Sequence, residues 1–249
     1  MSIVWIEPEW PAPASVRALS TQRTGGVSIA RYASLNLGDH VADEPAAVAE
    51  NRRRLRIAAA LPADPSWLQQ VHGSTVVDLD TGPPTGPADA AVTRRAGRVC
   101  ALLTADCLPI LLASDSGSVV GAAHAGWRGL AAGVIAATLR AMGVPAAGLL
   151  AWVGPGIGAR HYEVGTEVRE EFLRRDPAAE RAFAAGSQGR FLADLPLIAR
   201  RQLADLGVTR VYGSAASTYG EAENYFSHRR DGITGRQATL IWLQAPPNG

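Results

Sequence analysis

The sequence predicts an α/β protein that folds as one large domain over residues 1–249. The first observation is size, because 249 residues with 47% hydrophobic content can bury one sizeable core. The second is the alternation of short apolar runs, which are typical of strands, with segments of helical periodicity. Strands are expected over residues 3–6, 16–20, 88–93, 99–104, 108–113, 119–123, 149–153, 208–212 and 237–243, and a strand pair over 67–77. Helices are expected near Arg128 and over residues 166–174 and 196–206.

One further helix carries clear end signals, in the second half of the segment SLNLGDHVADEPAAVAENRRRLRIAAAL. Asp43 is expected to be its N-cap, and Glu44 and Pro45 suit its first turn. The spacing of its apolar residues predicts a buried face made of Val48, Leu55 and Ile57.

Charge and hydropathy exclude several classes of partner. The formal net charge is +1 and the charges are mixed along the chain, so no overall field recruits nucleic acid. The longest apolar stretch near a helix, residues 130–139, is far shorter than the ~20 residues of a membrane span. The first residues, MSIVWIEPEWPAP, hold acids and prolines where an export signal has a basic region and an apolar core. We therefore expect a cytoplasmic protein without nucleic-acid or membrane partners.

The two cysteines, Cys100 and Cys107, allow at most one disulfide. On a single strand their separation would hold the two sulfur atoms too far apart for a bond. We therefore expect reduced thiols, as is usual in the cytoplasm.

Three apolar runs each deliver one potential metal ligand near their end. VVGAAHAGWRGL carries His124, WLQQVHGSTVV carries His72 and CALLTADCLPILLA carries Cys107. Pro109 cannot donate to a β-ladder, so the break at Asp106-Cys107 is expected to be a bulge or a strand end. Taken alone, His72 would be more typical of a structural histidine. Together, two nitrogen ligands and one sulfur ligand suit Zn²⁺ and leave a fourth position open, as in catalytic zinc sites.

The loop STQRTGGVS, residues 20–28, is a second candidate site. Its Gly-Gly turn and Arg23 offer N–H groups and a guanidinium to an anion. The same composition is typical of an ordinary hairpin turn, which is the alternative interpretation.

A set of motifs spread over nearly the whole chain resembles the YfiH family. They are SLNLGDHVADEPAAVAENRRRL, QVHGSTVV, ADAAVT, TADCLPILLA, GAAHAGWRGL, GPGIGARHYEVG and FSHRRDGITGR, of which ADCLP and HAGWRG together are highly specific. The family carries the labels laccase-domain polyphenol oxidase, purine nucleoside phosphorylase and peptidoglycan-editing factor. The resemblance implies one α/β domain of layered, mixed β-sheets flanked by helices, a fold classed with cysteine hydrolases of the cytotoxic-necrotizing-factor type. It also implies a zinc ion held by His72, Cys107 and His124.

The resemblance further implies a purine nucleoside enzyme that phosphorolyses adenosine, inosine, guanosine and methylthioadenosine and deaminates adenosine. Its partners would be a nucleoside and phosphate, and the chain a monomer or a weak homodimer. Zinc at the three ligands would activate water for attack on C6 of adenine, while Asp106 would orient a ligand or relay a proton. The side chains expected to bind nucleoside or phosphate are Arg23, the asparagine of SLNLGDH (Asn36, which precedes Leu37), Arg128, Arg229 and Arg230.

The chain departs from the family pattern at three places. Ala216-Ser217-Thr218 stand where many members carry a cysteine-threonine pair, so any redox or nucleophilic role of that cysteine is absent. His228 stands where tyrosine is common, and Ala42 replaces a usual glycine. None of these positions is one of the three expected ligands.

Three alternative functions remain open on the sequence. A multicopper oxidase needs on the order of ten histidines, whereas this chain has five, although copper could occupy the zinc ligands. A cysteine hydrolase would use Cys107 as nucleophile and His124 as base on an amide such as a peptidoglycan precursor. A non-enzymatic binding module would use the metal for stability alone.

Overall fold

The computed structural model describes residues 2–245 and confirms an α/β fold with mixed β-sheets flanked by helices. Its strands are β1 (Trp5–Ile6), β2 (Val16–Thr21), β3 (Ser66–Trp67), β4 (Val76–Asp78), β5 (Ala90–Thr93), β6 (Val99–Thr104), β7 (Leu108–Ser114), β8 (Val120–Ala125), β9 (Leu149–Val153), β10 (Glu163–Val164), β11 (Phe183–Ala185), β12 (Phe191–Ala193), β13 (Arg210–Gly213) and β14 (Gln237–Leu243). Its α-helices are α1 (Pro45–Ala58), α2 (Trp127–Ala132), α3 (Val134–Met142), α4 (Thr166–Leu173), α5 (Leu195–Asp205) and α6 (His228–Asp231).

Two large sheets contain most of the strands. The first sheet has the order β1-β2-β14-β6-β3, and only β3 runs parallel to its neighbour. The second has the order β13-β9-β7-β8-β5-β4, with parallel pairs at its two edges and antiparallel pairs between them. A small antiparallel sheet, β10-β12-β11, follows β9 in the chain.

The two large sheets pack face to face because side chains alternate along each strand. Leu102 and Ile241 of the first sheet share a buried cluster with Leu111 and Trp152 of the second. The side chains of the adjacent residues along each strand point to the opposite face of their sheet. Ile110 belongs to a cluster that the second sheet forms with α2, α3, α4 and α5, while residues on the outer face of the first sheet pack against α1. The layers are therefore helix, sheet, sheet and helices.

The segment over residues 67–77 was expected to form a strand pair, but it connects the two large sheets. That prediction is wrong, because β3 joins the first sheet and β4 the second, and the two do not pair with each other. The segment between them, which contains His72, crosses from one sheet to the other. The segment between β6 and β7 makes a similar crossing, so the predicted strand end at Asp106-Cys107 is confirmed.

Three details of the helices correct the sequence predictions. The N-cap of α1 is Glu44 rather than Asp43, whose carboxylate instead accepts hydrogen bonds from Ser28 and Asn36. The expected helix near Arg128 is divided into α2 and α3 at Gly133, which adopts a left-handed φ of 83°. Ile57 is 64% exposed and lies outside the buried face of α1.

No helix within residues 2–245 combines the length and apolar character that a membrane crossing requires.

Leu55 and Ile57 test the packing of α1, because the first is 0% exposed and the second 64%. Leu55→Ala is expected to lower the free energy of unfolding by about 2–5 kcal/mol, since it opens a cavity in the core. Ile57→Ala on the same helix should change it by less than about 0.5 kcal/mol. Urea unfolding followed by circular dichroism measures both. Equal losses in the two variants would contradict this assignment of the buried face.

Candidate functional site

The structure brings His72, Cys107 and His124 together. One ligand atom from each, two ring nitrogens and one sulfur, lies within 4.8 Å of the others. His72 and Cys107 come from the two crossings between the sheets, and His124 comes from the end of β8. Within residues 2–245 this is the one cluster of three or more such side chains that could hold a metal ion.

Asp89 holds two of these ligands in place. Its buried carboxylate accepts hydrogen bonds from the backbone N–H groups of Val71, His72 and Gly73, at 3.2, 2.8 and 2.7 Å. The same carboxylate lies 2.8 Å from Nδ1 of His124. With Nδ1 engaged in this way, Nε2 is the nitrogen left for a metal. Asp89 lies in the motif ADAAVT, and no role was predicted for it from the sequence. The signal for such a role is an acid directly before a strand of small apolar residues.

Two residues at the crossings adopt backbone angles that are uncommon for side chains other than glycine. His72 has φ of 62° and Asp106 has φ of 97°. Such angles cost on the order of 1–3 kcal/mol each and persist where the surroundings impose them. At His72 the three hydrogen bonds to Asp89 supply that constraint. At Asp106 the carboxylate accepts hydrogen bonds from the Thr218 hydroxyl and the Arg229 backbone N–H, both at 2.7 Å.

Gly126 keeps the space beside the cluster free. A Cβ atom at this position would lie 2.7 Å from Sγ of Cys107 and 3.2 Å from Cδ2 of His72. The backbone of Gly126 has φ of −70°, which any residue adopts, so the requirement for glycine comes from the cluster and not from the turn. The donor set, the engaged Nδ1 of His124 and this reserved space all fit a bound metal ion.

Charge within the cluster favours the thiolate form of Cys107. Burial raises its pKa, but the charge of His124 and hydrogen bonds from both histidines outweigh burial and hold the pKa below that of an ordinary thiol. For His124, burial lowers the pKa, while Cys107 and Asp89 raise it above its ordinary value. A thiolate is the form in which cysteine binds metals or acts as a nucleophile.

A cavity of about 440 Å³ opens beside the cluster. It contains the expected site residues Asp106, Arg128 and Arg229. The sequence analysis assigned no role to several other side chains of this cavity, which are His40, Gln70, Trp127, Tyr162, His228 and Arg236. A second chamber of about 480 Å³ shares His40, His228 and Arg236 with the cavity and includes Ala42.

Three expected substrate-binding residues are not among those that line the cavity. Arg23 donates to the backbone oxygens of Ala33 and Ala222 and stacks on Phe226. Asn36 is fully buried and bonds within its own loop and to the Arg236 backbone. Arg230 donates to the backbone oxygens of Thr218, Tyr219 and Tyr225. These polar groups bond within loops, and the structure does not bring them to the cavity that holds Asp106, Arg128 and Arg229.

The Gly-Gly loop also has a structural role. The N–H groups of Gly26, Val27 and Ser28 donate to oxygen atoms of Ser34 and Asn51. A Cβ atom at Gly26 would lie 2.1 Å from the Ser34 backbone oxygen, so the glycine permits close chain packing. Since these donors are already used, the loop is not the anion site that its composition suggested.

Gly126→Ala is expected to weaken metal binding by about tenfold or more, since its Cβ displaces ligands that need fixed positions. The variant should keep its far-ultraviolet circular dichroism spectrum. Competition with a chromophoric chelator measures the affinity for Zn²⁺. Gly86→Ala is the matched control, because a Cβ there meets nothing within 4 Å. An unchanged affinity in Gly126→Ala would show that the reserved space does not serve a metal.

Asp89→Asn is expected to lower metal affinity by about 10–100-fold, because an amide cannot accept all the hydrogen bonds that orient the two histidines. The same chelator competition measures the effect, and thermal unfolding reports the stability of the variant. Asp80→Asn is the control, since Asp80 also accepts hydrogen bonds from a hydroxyl and a backbone N–H but lies outside the cavity lining. If both variants bound metal as the unaltered protein does, the orienting role of Asp89 would be refuted.

Known proteins resemble this chain over nearly its full length. A family model described as multi-copper polyphenol oxidoreductase laccase matches residues 17–244. A purine nucleoside phosphorylase from Pseudomonas aeruginosa is 51% identical over 241 residues, which covers 96% of this chain and 98% of the relative. The purine nucleoside phosphorylase YfiH of Escherichia coli is 49% identical over 240 residues, with coverage of 96% and 98%.

Solved structures show the same relationship. A crystal structure of a Neisseria meningitidis protein matches with a TM-score of 0.93 and 46% identity, covering 97% of this chain and 99% of that chain. YlmD from Geobacillus stearothermophilus matches with a TM-score of 0.88 and 32% identity, covering 97% and 96%. In sequence and in fold, the chain belongs to the YfiH family, whose sequence model carries the laccase description.

Proposed function

We propose that this protein is a zinc-dependent purine nucleoside phosphorylase that also deaminates adenosine. Its substrates would be inorganic phosphate and adenosine, inosine, guanosine or methylthioadenosine. One observation carries the proposal: His72, Cys107 and His124 meet at an arginine-lined cavity, in a chain whose relatives over 96% of its length are named purine nucleoside phosphorylase. The two free cysteines support action in the reducing cytoplasm.

Arg128 and Arg229 suit the binding of phosphate. Both line the cavity, and neither guanidinium group lies within 4.0 Å of a carboxylate oxygen in the described part of the chain. Guanidinium groups bind phosphate oxygens through paired hydrogen bonds. In phosphorolysis, a phosphate oxygen bonds to C1′ of the ribose while the bond from C1′ to the purine nitrogen breaks. The electron pair leaves with the purine, which takes up a proton.

Asp106 and Tyr162 have distinct supporting roles. Both carboxylate oxygens of Asp106 are engaged, and one of them accepts from the backbone N–H of Arg229. Asp106 therefore holds the start of α6 at the cavity rather than moving a proton. For Tyr162, burial and the charge of Cys107 raise the pKa well above its usual range. Its hydroxyl stays protonated and can donate a hydrogen bond to a bound substrate.

Zinc held by His72, Cys107 and His124 would supply a Lewis acid at the cavity wall. The protein's part is to keep His72 and His124 fixed through Asp89 and to exclude other groups through Gly126. In adenosine deamination, water replaces the 6-amino group and ammonia leaves, and Tyr162 would donate to an acceptor of the purine ring. Both reactions would use the same cavity.

A cysteine hydrolase is the second candidate, and one observation favours it. Cys107, His124 and Asp89 form the series of thiol, imidazole and carboxylate that activates a cysteine nucleophile. The Cys107 sulfur would attack the amide carbon, the carbon–nitrogen bond would break, and the amine would leave with a proton from His124. Water would then cleave the thioester to a carboxylic acid and restore the thiol. The activity of such an enzyme would survive removal of metal, whereas the proposed phosphorylase activity would not.

Cys107→Ala is expected to reduce kcat/KM for adenosine phosphorolysis to less than about one hundredth, because loss of a ligand exceeds the 10–100-fold effect of an orienting partner. Chromatography of adenosine incubated with protein and phosphate would show adenine and ribose 1-phosphate, or inosine and hypoxanthine. Cys100→Ala is the matched control, since Cys100 lies in the core between the sheets.

Three outcomes would contradict the proposal. Adenosine left unchanged by zinc-loaded protein would remove the purine reaction. A covalent Cys107 adduct, formed with an amide substrate in the presence of a chelator, would favour the hydrolase. Oxidation of a phenol by copper-loaded protein, without nucleoside turnover, would favour the oxidase activity in the family description.

A further inference from the structure

Arg236 occupies the wall between the metal-centre cavity and the second chamber. It lines both. It directly precedes β14, whose first residue, Gln237, pairs with Thr104 at the end of β6. This register places Arg236 beside the crossing that carries Asp106 and Cys107. No motif spacing in the sequence indicated a ligand-binding role for this arginine.

The guanidinium of Arg236 has no carboxylate counter-ion among the described residues. No carboxylate in residues 2–245 lies within 4.0 Å of it. Its Nη1 donates to the backbone oxygens of Thr234 and Gly235, while Nε and Nη2 make no hydrogen bond within the described residues. Burial lowers the pKa of Arg236, and the charges of Cys107 and Asp106 oppose that effect. Nε and Nη2 of Arg236 are therefore free to donate to the oxygens of a bound anion.

Two other arginines of the cavity, Arg128 and Arg229, add to the positive charge of Arg236. The guanidinium groups of Arg128 and Arg229 also lack a carboxylate oxygen within 4.0 Å in the described part of the chain. Asp106 is the one acidic side chain in the lining, and both of its oxygens already accept hydrogen bonds. Three guanidinium groups therefore face a space that also holds the Asp106 carboxylate and the Cys107 thiolate. The remaining excess of positive charge suits a multiply charged oxyanion.

The loop that contains Asn36 and Gly38 fixes the position of Arg236. Oδ1 of Asn36 accepts a hydrogen bond from the backbone N–H of Arg236 at 2.9 Å. The backbone N–H of Leu37 donates to the backbone oxygen of Arg236 at 3.0 Å. A Cβ atom at Gly38 would lie 2.8 Å from Cγ of Arg236. The motif SLNLGDH therefore acts on the cavity through Arg236 and not by contact with substrate.

We propose that Arg236 binds the phosphate co-substrate at the wall between the two cavities, and that Asn36 and Gly38 are positioning residues for it. This assignment rests on the proposed phosphorylase function for the identity of the anion. Nε and Nη2 of Arg236 would donate to two phosphate oxygens, with Arg128 and Arg229 contacting the others. The purine and ribose would then lie between this anion and the metal ligands or in the second chamber.

Titration calorimetry of the zinc-loaded protein with inorganic phosphate tests the assignment without turnover. Arg236→Gln should weaken phosphate binding by about 10–100-fold, as expected for loss of charged hydrogen bonds. Arg236→Lys should recover only part of the affinity, because an ammonium lacks the paired geometry. Gly38→Ala should weaken binding while all charges remain. Arg210→Gln is the control, since Arg210 pairs with Asp115 on the surface.

Steady-state kinetics separate a binding role from a structural one. In Arg236→Gln and Gly38→Ala, KM for phosphate should rise by about tenfold or more, while KM for the nucleoside and the melting temperature change little. Phosphate affinity equal to that of the unaltered protein in Arg236→Gln would overturn the assignment. A different outcome is that Arg236→Gln loses phosphate binding while the unaltered protein turns over no nucleoside. That result would support an anion site at Arg236 and refute the phosphorylase function.

Discussion

The carboxylate of Asp89 is the interaction on which the candidate site depends. It joins the crossing segment that carries His72 to the strand that carries His124, through hydrogen bonds of 2.7 to 3.2 Å. The backbone oxygen of Asp89 also accepts from the backbone N–H of His124 at 2.7 Å. A fully buried carboxylate is tolerated only when its oxygens are satisfied. Its own need for partners therefore holds two metal ligands in one arrangement.

The double-sheet architecture determines where that arrangement forms. Two segments of the chain leave the first sheet and enter the second, and each carries a ligand at the crossing. Strand β7 pairs with β8 so that Pro109 lies opposite His124, which places the turn with Cys107 next to the histidine. Helix α2 starts just beyond, at Trp127, and Gly126 leaves room where it turns away. The candidate metal centre is thus a property of how the strands are connected.

The cavity is distinguished by its charged side chains as well as by the candidate metal ligands in its wall. The arginines that bond to backbone oxygens elsewhere, such as Arg23 and Arg230, stabilise loops. Those that line the cavity are left without carboxylate partners in the described residues. The one lining carboxylate, Asp106, has its acceptors occupied by Thr218 and Arg229. A chain of net charge +1 can in this way still place three guanidinium groups at one cavity.

The sequence by itself determined the α/β class, most strand positions and the family, because apolar periodicity and local motifs are properties of neighbouring residues. It also identified His72, Cys107 and His124 as candidates, since each ends an apolar run. Only the tertiary structure decided that these three meet, that Asp89 holds the two histidines and that Arg236 lines the cavity while Arg23 and Arg230 do not. The reason is that a side chain's partners are set by sheet crossings and by residues distant along the chain, as Asn36 and Arg236 are. Local spacing carries no information about such contacts.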